Sequence, residues 1–367
     1  MDPAEFRAEI PALEECIYMN TGAASPSPVG VIEAVESTLD HHERVAPAEE
    51  GMYPAADRIF EDTRRAVAGL LGAQPGEIAL TESTADAITR IADAISWEEG
   101  DVVCRTDCEH PAGVLPWRRL EDTEGIEVRE IETDEGRLDL DRFAAAASDA
   151  RLVCTSSLSW NYGTRFPIEE LVEIAHDAGA QVLVDAVQSP GQLEVDVTEW
   201  GADFVAGAGH KWLCGPWGAG FCYVDEAATG TLEPDRVSYR SVVDPSAPWY
   251  ELKPGAARLE IGTRSPLPYA GLSEAISLIE GIGIDAIEAH IEALTDRLKG
   301  GLGERLLSPR DYESGLVTFA ADDPEATVAR LGEEDIEIRS VPEPDALRAS
   351  LHVFNTAEDV DALLEAL

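Results

Sequence analysis

Short runs of consecutive apolar residues alternate with stretches whose apolar positions recur every three or four residues, from about residue 57 to 295. The first pattern fits strands buried on both faces and the second fits helices packed on a sheet. Together they predict an α/β domain with a largely parallel sheet. Strands are expected at IAL (78–80), DVVCR (101–105), RLVCTSS (151–157), QVLVDAV (181–187), FVAGA (204–208) and GFCYV (220–224). Helices are expected over Asp57–Leu71, Asp86–Ser96, Asp141–Ala147 and Ile168–Ala178. A longer helical period runs from Pro268 to about Leu302, with a break at GIGI, and leads into a smaller α+β unit. There SGLVTFA, IEIRS and ASLHVF read as strands, and TVARLG and the segment from Ala357 as helices. The Pro-rich stretches 24–30 and 244–254 read as loops. The expected division is an N-terminal segment 1–20 packing with the small domain, a large domain 21–265 and a small C-terminal domain 266–367.

A chain of 367 residues, 44% of them apolar, can bury the core of a two-domain enzyme. Its charge changes the picture of partners. With 72 acidic against 27 basic residues the net charge is -45, which argues against nucleic acid and anionic membrane. The acids are interspersed among apolar runs, so they belong to a folded surface rather than a disordered tail. Lysine is scarce, at Lys211, Lys253 and Lys299 only. That depletion fits adaptation to a cytoplasm of high salt, where counterions screen self-repulsion. The N-terminus MDPAEFRAEIPALEE has no apolar core of a targeting segment, and no run approaches the roughly 18 apolar residues of a membrane span, so a cytoplasmic location is expected. Six cysteines without a CxxC pair read as reduced thiols, and no metal site is expected.

The candidate chemistry starts at VLVDAVQ (182–188), an apolar strand ending in an acid, Asp185. A second run, DFVAGAGHK, delivers Lys211 at its C-terminal end, and open α/β sheets gather their sites at those ends. Taken singly, Asp185 could cap a helix and Lys211 could be a surface residue. Taken together, they supply the two groups that pyridoxal 5'-phosphate (PLP) needs: an amine to form an imine and a carboxylate to keep the pyridine nitrogen protonated. The surrounding GAGHKWLCGPWGAGF is rich in small residues, as close backbone approach to a ligand requires. No GxxxxGK[ST] or GxGxxG follows a strand, which leaves a non-catalytic nucleotide-binding or scaffold protein as the weaker reading.

The chain resembles the class V aminotransferase family of fold type I PLP-dependent enzymes, which includes cysteine desulfurases, selenocysteine lyases and isopenicillin N epimerase-like proteins. The resemblance runs from YMNTGAAS to RASLHVFNT and rests on the spaced set DAVQ, AGHK, EIGT and RASLHVFNT. It implies a large domain with a mostly parallel seven-stranded sheet and a smaller α+β domain. Asp185 would pair with the pyridine nitrogen, Gln188 would donate to the ring hydroxyl, and His110 would stack on the ring and take part in proton transfer. Asn161 would contact the cofactor. Thr84 and Ala85, at a helix N-terminus, would hold the phosphate with His210. Thr263 would enter from the other subunit of a homodimer. Arg348 would grip the substrate carboxylate with its planar fork, and Asn20 would line the substrate end. Relatives often carry hydroxyl residues where this chain has Ala85 and Ala208, so its phosphate cup would make fewer side-chain bonds.

Cysteine desulfurases of this family pass sulfur to a cysteine on a loop shortly before the substrate arginine. The corresponding IRSVPEPDALRAS contains none, so transfer through a protein persulfide is not expected. What remains is chemistry begun by Lys211 removing the α-proton of an amino acid. The favoured reading is an aminotransferase, whose second substrate is a 2-oxo acid; the alternative is a β-lyase or an amino-acid epimerase.

Overall fold

The computed structural model describes residues 1–367. Its strands are, in chain order, β1 (Ile17–Tyr18), β2 (Ile78–Thr81), β3 (Val102–Thr106), β4 (Glu127–Ile131), β5 (Leu152–Ser156) and β6 (Gln181–Asp185). They continue as β7 (Phe204–Ala208), β8 (Gly220–Val224), β9 (Leu316–Phe319), β10 (Ile336–Glu337), β11 (Arg339–Pro342) and β12 (Asp345–Ser350). Seven form one sheet in the order β2-β8-β7-β6-β5-β3-β4. The strands from β7 through β4 are mutually parallel, and only β8, between β7 and β2, runs against its neighbours.

Every residue of β2, β3, β5, β7 and β8 is buried, which is why these strands show as apolar runs rather than alternations. Side chains still alternate between the faces. Val182 and Val184 of β6 join a core that includes Val67, Leu71, Leu171 and Ile276, whereas Leu183 joins Ile88, Ile91, Trp117 and Leu120 on the other side. The sheet is thus covered by helices on both faces, as a buried parallel sheet demands. Strand β4 escaped the sequence reading because EVREI is an edge strand whose charged residues are largely open to solvent.

The small C-terminal sheet is antiparallel, in the order β11-β12-β9. The N-terminal residues pack on this region: β1 pairs with β10, and Arg7 donates to Asp359 and to the Phe354 carbonyl. The expected long helix is two, Leu267–Ile282 and Ile284–Leu302, meeting at Gly283 with φ +94°. Several limits differ from expectation: the helices expected over Asp57–Leu71 and Asp86–Ser96 span Met52–Leu71 and Thr84–Ala94, and the strands expected over 151–157 and 181–187 end at Ser156 and Asp185. IEIRS splits into β10 and the start of β11. The strand expected over ASLHVF ends at Ser350, because the Asn355 side chain takes the His352 amide and turns the chain. Helix Val29–Asp40 begins inside the proline-rich stretch read as a loop. No helix is long and apolar enough to cross a membrane.

Candidate active site

The parallel strands end on one edge, and the loops leaving that edge line a cavity of about 270 Å³. Asp185, the last residue of β6, reaches it with 4% of its surface exposed. One oxygen of Asp185 accepts from the Val187 amide at 3.0 Å, and the other has no hydrogen bond within the chain. Burial raises its pKa, opposed by that amide and by Lys211. Lys211 follows β7 and lies on the same cavity wall. Burial lowers its pKa to about 8; Asp185 opposes the fall, and Arg348 and Arg339 add to it. The other two lysines lie elsewhere: Lys299 is buried and donates to the Asp311 carbonyl at 2.7 Å, and Lys253 lies in the loop at 250–254.

His110 follows β3 and borders the cavity, with its ring edge-on to Trp160 at 5.6 Å between centroids. Its Nδ1 accepts from the Ala112 amide, which places the proton of the neutral ring on Nε2. Burial and then the cations Lys211, Arg339 and Arg348 push its pKa down to about 4, so it is neutral at physiological pH. Directly before it, Glu109 is buried and accepts from the Thr106 hydroxyl, the Ser156 amide and the Ser156 hydroxyl at 2.7, 3.0 and 2.6 Å. These bonds pull its pKa down, but burial outweighs them and lifts it to about 7.

Also on the cavity wall, Ser83 caps helix Thr84–Ala94 by accepting from the Asp86 amide. The amides of Thr84 and Ala85, in the first turn, have no intrahelical partner by helix geometry. The Thr84 hydroxyl is buried without a partner. His210, neutral through burial and the nearby Lys211 with a pKa of about 4, lines the same region. The strand and helix sit this close because Gly220 lacks a side chain: a Cβ there would lie 2.7 Å from the Ser83 backbone.

Arg348, on β12, brings the small domain to the cavity. It is fully buried, yet only Nη1 has a partner, the Trp160 carbonyl at 2.7 Å. Its Nε and Nη2 are unpartnered, and burial followed by repulsion from Arg339 lowers its pKa to about 9. Elsewhere buried arginines are neutralised, as Arg64 and Arg264 are by Glu260. Gly22 keeps the fork open, since a Cβ there would come within 3.0 Å of Arg348 Nη2 and 2.6 Å of Leu316.

The structure therefore brings Thr84, Ala85, His110, Asp185, His210, Lys211 and Arg348 around one cavity. Four expected residues stand apart from its wall. Gln188 is buried, donates to the Gly22 carbonyl at 3.1 Å and accepts from the Trp212 indole at 2.7 Å. Asn161 spans Ser159 and the Glu343 carbonyl. Asn20 has its side-chain oxygen buried without a partner, beside the bridge from its backbone to Ser350. Thr263 bonds the Tyr239 hydroxyl at 2.7 Å and lines a separate cavity of about 400 Å³ with Tyr53 and Arg240. Sequence reasoning missed Glu109, Trp160 and Arg339. Glu109 and Trp160 adjoin residues it had chosen, and Arg339 carried a signal in its pairing with Arg348 across the expected hairpin.

The site fits a pyridine cofactor with a phosphate arm. A buried acid with an unused oxygen, an amine of lowered pKa and an orphaned hydroxyl at a helix N-terminus are the donors and acceptors such a group would satisfy. Fold and site together define a PLP-dependent enzyme of fold type I. The family model for class V aminotransferases matches residues 17–363, and the chain belongs to that family. A relative from Methanothermobacter thermautotrophicus named "Probable cysteine desulfurase" is 33% identical, over 100% of this chain and 98% of its own length. Among solved structures, the apo cysteine desulfurase of Thermococcus onnurineus superposes with a TM-score of 0.92 at 32% identity, covering 100% of this chain and 97% of that one. The cystine C-S lyase C-DES, solved with its product cysteine persulfide, gives 0.91 at 27% identity, covering 97% and 98%.

Proposed function

We propose that this enzyme cleaves the C–S bond of a cysteine-type amino acid and releases the sulfur in a small-molecule product rather than onto a protein thiol. Of the readings the sequence left, aminotransferase, β-lyase and epimerase, the relatives favour the lyase. The observation that carries the thiol-free version is the β11–β12 hairpin. Arg339–Pro342 and Asp345–Ser350 are joined by Glu343 and Pro344 alone, so no loop stands before Arg348 to swing a cysteine inward. No cysteine lines the cavity; five of the six are buried, and burial raises the pKa of all six.

PLP, when bound through Lys211, supplies an electron sink for the pair left when the α-proton departs. Asp185 holds a proton at the pyridine nitrogen and so keeps that sink charged. Arg348 binds the substrate carboxylate through Nε and Nη2, which orients the α-carbon toward Lys211. Lys211, once its amine is free, takes the α-proton on Nζ; its lowered pKa leaves an appreciable neutral fraction near pH 7 to 8. The C–S bond then breaks with its electron pair leaving on sulfur, and hydrolysis of the unsaturated product yields pyruvate and ammonia. His110, neutral with its proton on Nε2 and bordering the cavity, would donate that proton to the departing sulfur. We also place the working unit as a homodimer in which Thr263 completes the partner's site.

The test is product analysis of the PLP-loaded enzyme with L-cysteine and L-cystine. Pyruvate with sulfide or persulfide in solution is expected. Alanine with sulfur retained on the protein would establish a desulfurase, and a 2-oxo acid with conversion to the pyridoxamine form would establish a transaminase.

A further inference from the structure

The large sheet opens between β3 and β5. Strand β3 stays paired with β4 as far as Thr106–Ile131, and β5 with β6 as far as Ser156–Asp185, but the β3–β5 ladder stops at Arg105–Cys154. The connections also part here: β3 leads through helix Leu115–Glu124 to β4 on one side, and β5 through helix Ile168–Asp177 to β6 on the other. The two helices lie on opposite faces, with Trp117 and Leu120 in one core and Leu171 and Val172 in the other. Such a reversal leaves a crevice at the strand ends, where open α/β sheets bind ligands.

The carboxyl of Glu109 fills this opening. One oxygen takes the Thr106 hydroxyl from β3 and the Ser156 amide from β5, and the other takes the Ser156 hydroxyl. It stands in for the missing ladder bonds and satisfies an amide that would otherwise be buried unpaired. Stability alone does not explain an acid here. Of the buried acidic side chains, Glu260 and Asp359 bond arginines, whereas Glu109 and Asp185 have no ion pair. Glu109 stays off the cavity wall but is tied to two residues on it: His110 follows it in the chain, and Asp185 pairs with Ser156 across the β5–β6 ladder. Its carboxyl is near enough to Asp185 for the two to repel. We propose that Glu109 is a positioning residue whose three bonds set the separation of His110 from Asp185, and so the width of the slot that receives the pyridine ring. The inference rests on the PLP reading of the cavity and not on which substrate bond breaks. Alanine at 109 would free the turn 107–110 to shift against β6, and a displacement of about 1 Å at a reacting group can cost about 100-fold in rate. Glutamine would keep an oxygen for Thr106 and the Ser156 amide and donate from Nε2 to the Ser156 hydroxyl oxygen, which restores the geometry without the charge.

The experiment compares the parent with Glu109→Ala, Glu109→Gln and Ser156→Ala, each loaded with PLP at constant high salt. The readouts are circular dichroism in the cofactor absorption band, the PLP dissociation constant, and kcat and KM with L-cysteine. Glu109→Ala should change the dichroism per bound cofactor, weaken PLP binding by about tenfold and lower kcat by about 10- to 100-fold, with KM within about threefold because Arg348 is untouched. Glu109→Gln should restore the dichroism and bring PLP affinity and kcat to within about threefold of the parent. Ser156→Ala, which removes the 2.6 Å bond and keeps the amide, should fall between the two. It takes the place of Glu109→Ala if the unfolding midpoint shows that variant unfolded. Parental dichroism, PLP affinity and kcat in Glu109→Ala, or in Ser156→Ala where it stands in, overturn the proposal, and so does a glutamine variant as impaired as the alanine one. Absence of pyruvate from L-cysteine in the parent removes the lyase assignment alone, since dichroism and PLP affinity still decide the role of Glu109.

Discussion

Replacing Arg348 with methionine should separate activity from stability in opposite directions. The guanidinium is fully buried, no carboxylate faces it, and Arg339 stands across the ladder. A fall of its pKa from 12.5 to about 9 corresponds to a cost of on the order of 5 kcal/mol for carrying the charge in the folded state. Methionine has a similar reach and leaves the Trp160 carbonyl without its donor, a loss of about 1–3 kcal/mol. The balance favours the variant, so Arg348→Met should be more stable, by about 2–4 kcal/mol. On the proposed role of Arg348, the same change would remove two charge-assisted bonds to the substrate carboxylate, each worth about 1.5–3 kcal/mol, so kcat/KM should fall by about 10² to 10⁴-fold. Urea unfolding of parent and variant at matched salt and cofactor loading gives the first quantity, with the slope checked for constancy. A midpoint lowered by the equivalent of more than about 1 kcal/mol, or an activity loss below tenfold, would show that the guanidinium is a structural strut and refute the reasoning.

Three further outcomes follow from the cavity. The rate at which the apoenzyme takes up PLP should rise with pH and level off above about 8, because imine formation needs the neutral amine of Lys211; a plateau reached only beyond about pH 10 would mean an unperturbed lysine. Borohydride reduction followed by peptide mapping should label Lys211, and Lys211→Ala should lower turnover by about 10²-fold or more; retained turnover would remove its role as base. Glu109 has a folded pKa of about 7 against an ordinary 4.5, so its contribution to stability is fully present below 4.5 and lost as pH rises through 7. The stability difference between parent and Glu109→Gln should therefore shift against the parent by on the order of 3 kcal/mol between pH 4.5 and 7.5, and a flat difference would contradict that burial argument.

Much of the fold was legible because a sheet covered on both faces writes itself as apolar runs. The expected strands at 204–208 and 220–224 coincide with β7 and β8, and Asp185 and Lys211 emerge at the ends where parallel sheets collect ligands. Legibility failed where burial does not follow composition. Strand β4 is held by backbone pairing at an edge, and Ile336–Pro342 is broken into two strands by pairing with separate partners, β1 and β12. Seven of the expected site residues share one cavity, but their arrangement was not legible. Sequence could name Arg348 without showing that its charge is uncompensated, and it gave Gln188 and Asn161 roles without revealing how fully their amides serve neighbouring protein atoms.

The setting of the three lysines bears on how cleanly the enzyme can be assembled. An aldehyde cofactor in excess condenses with any accessible amine, and a lysine-rich surface scatters it over many weak adducts. Here one side-chain amine is locked on a backbone carbonyl inside the protein, and of the remaining two only Lys211 sits in a pocket beside a buried acid. Loading should therefore approach one equivalent per subunit even at high cofactor concentration, which makes absorbance a direct count of competent sites.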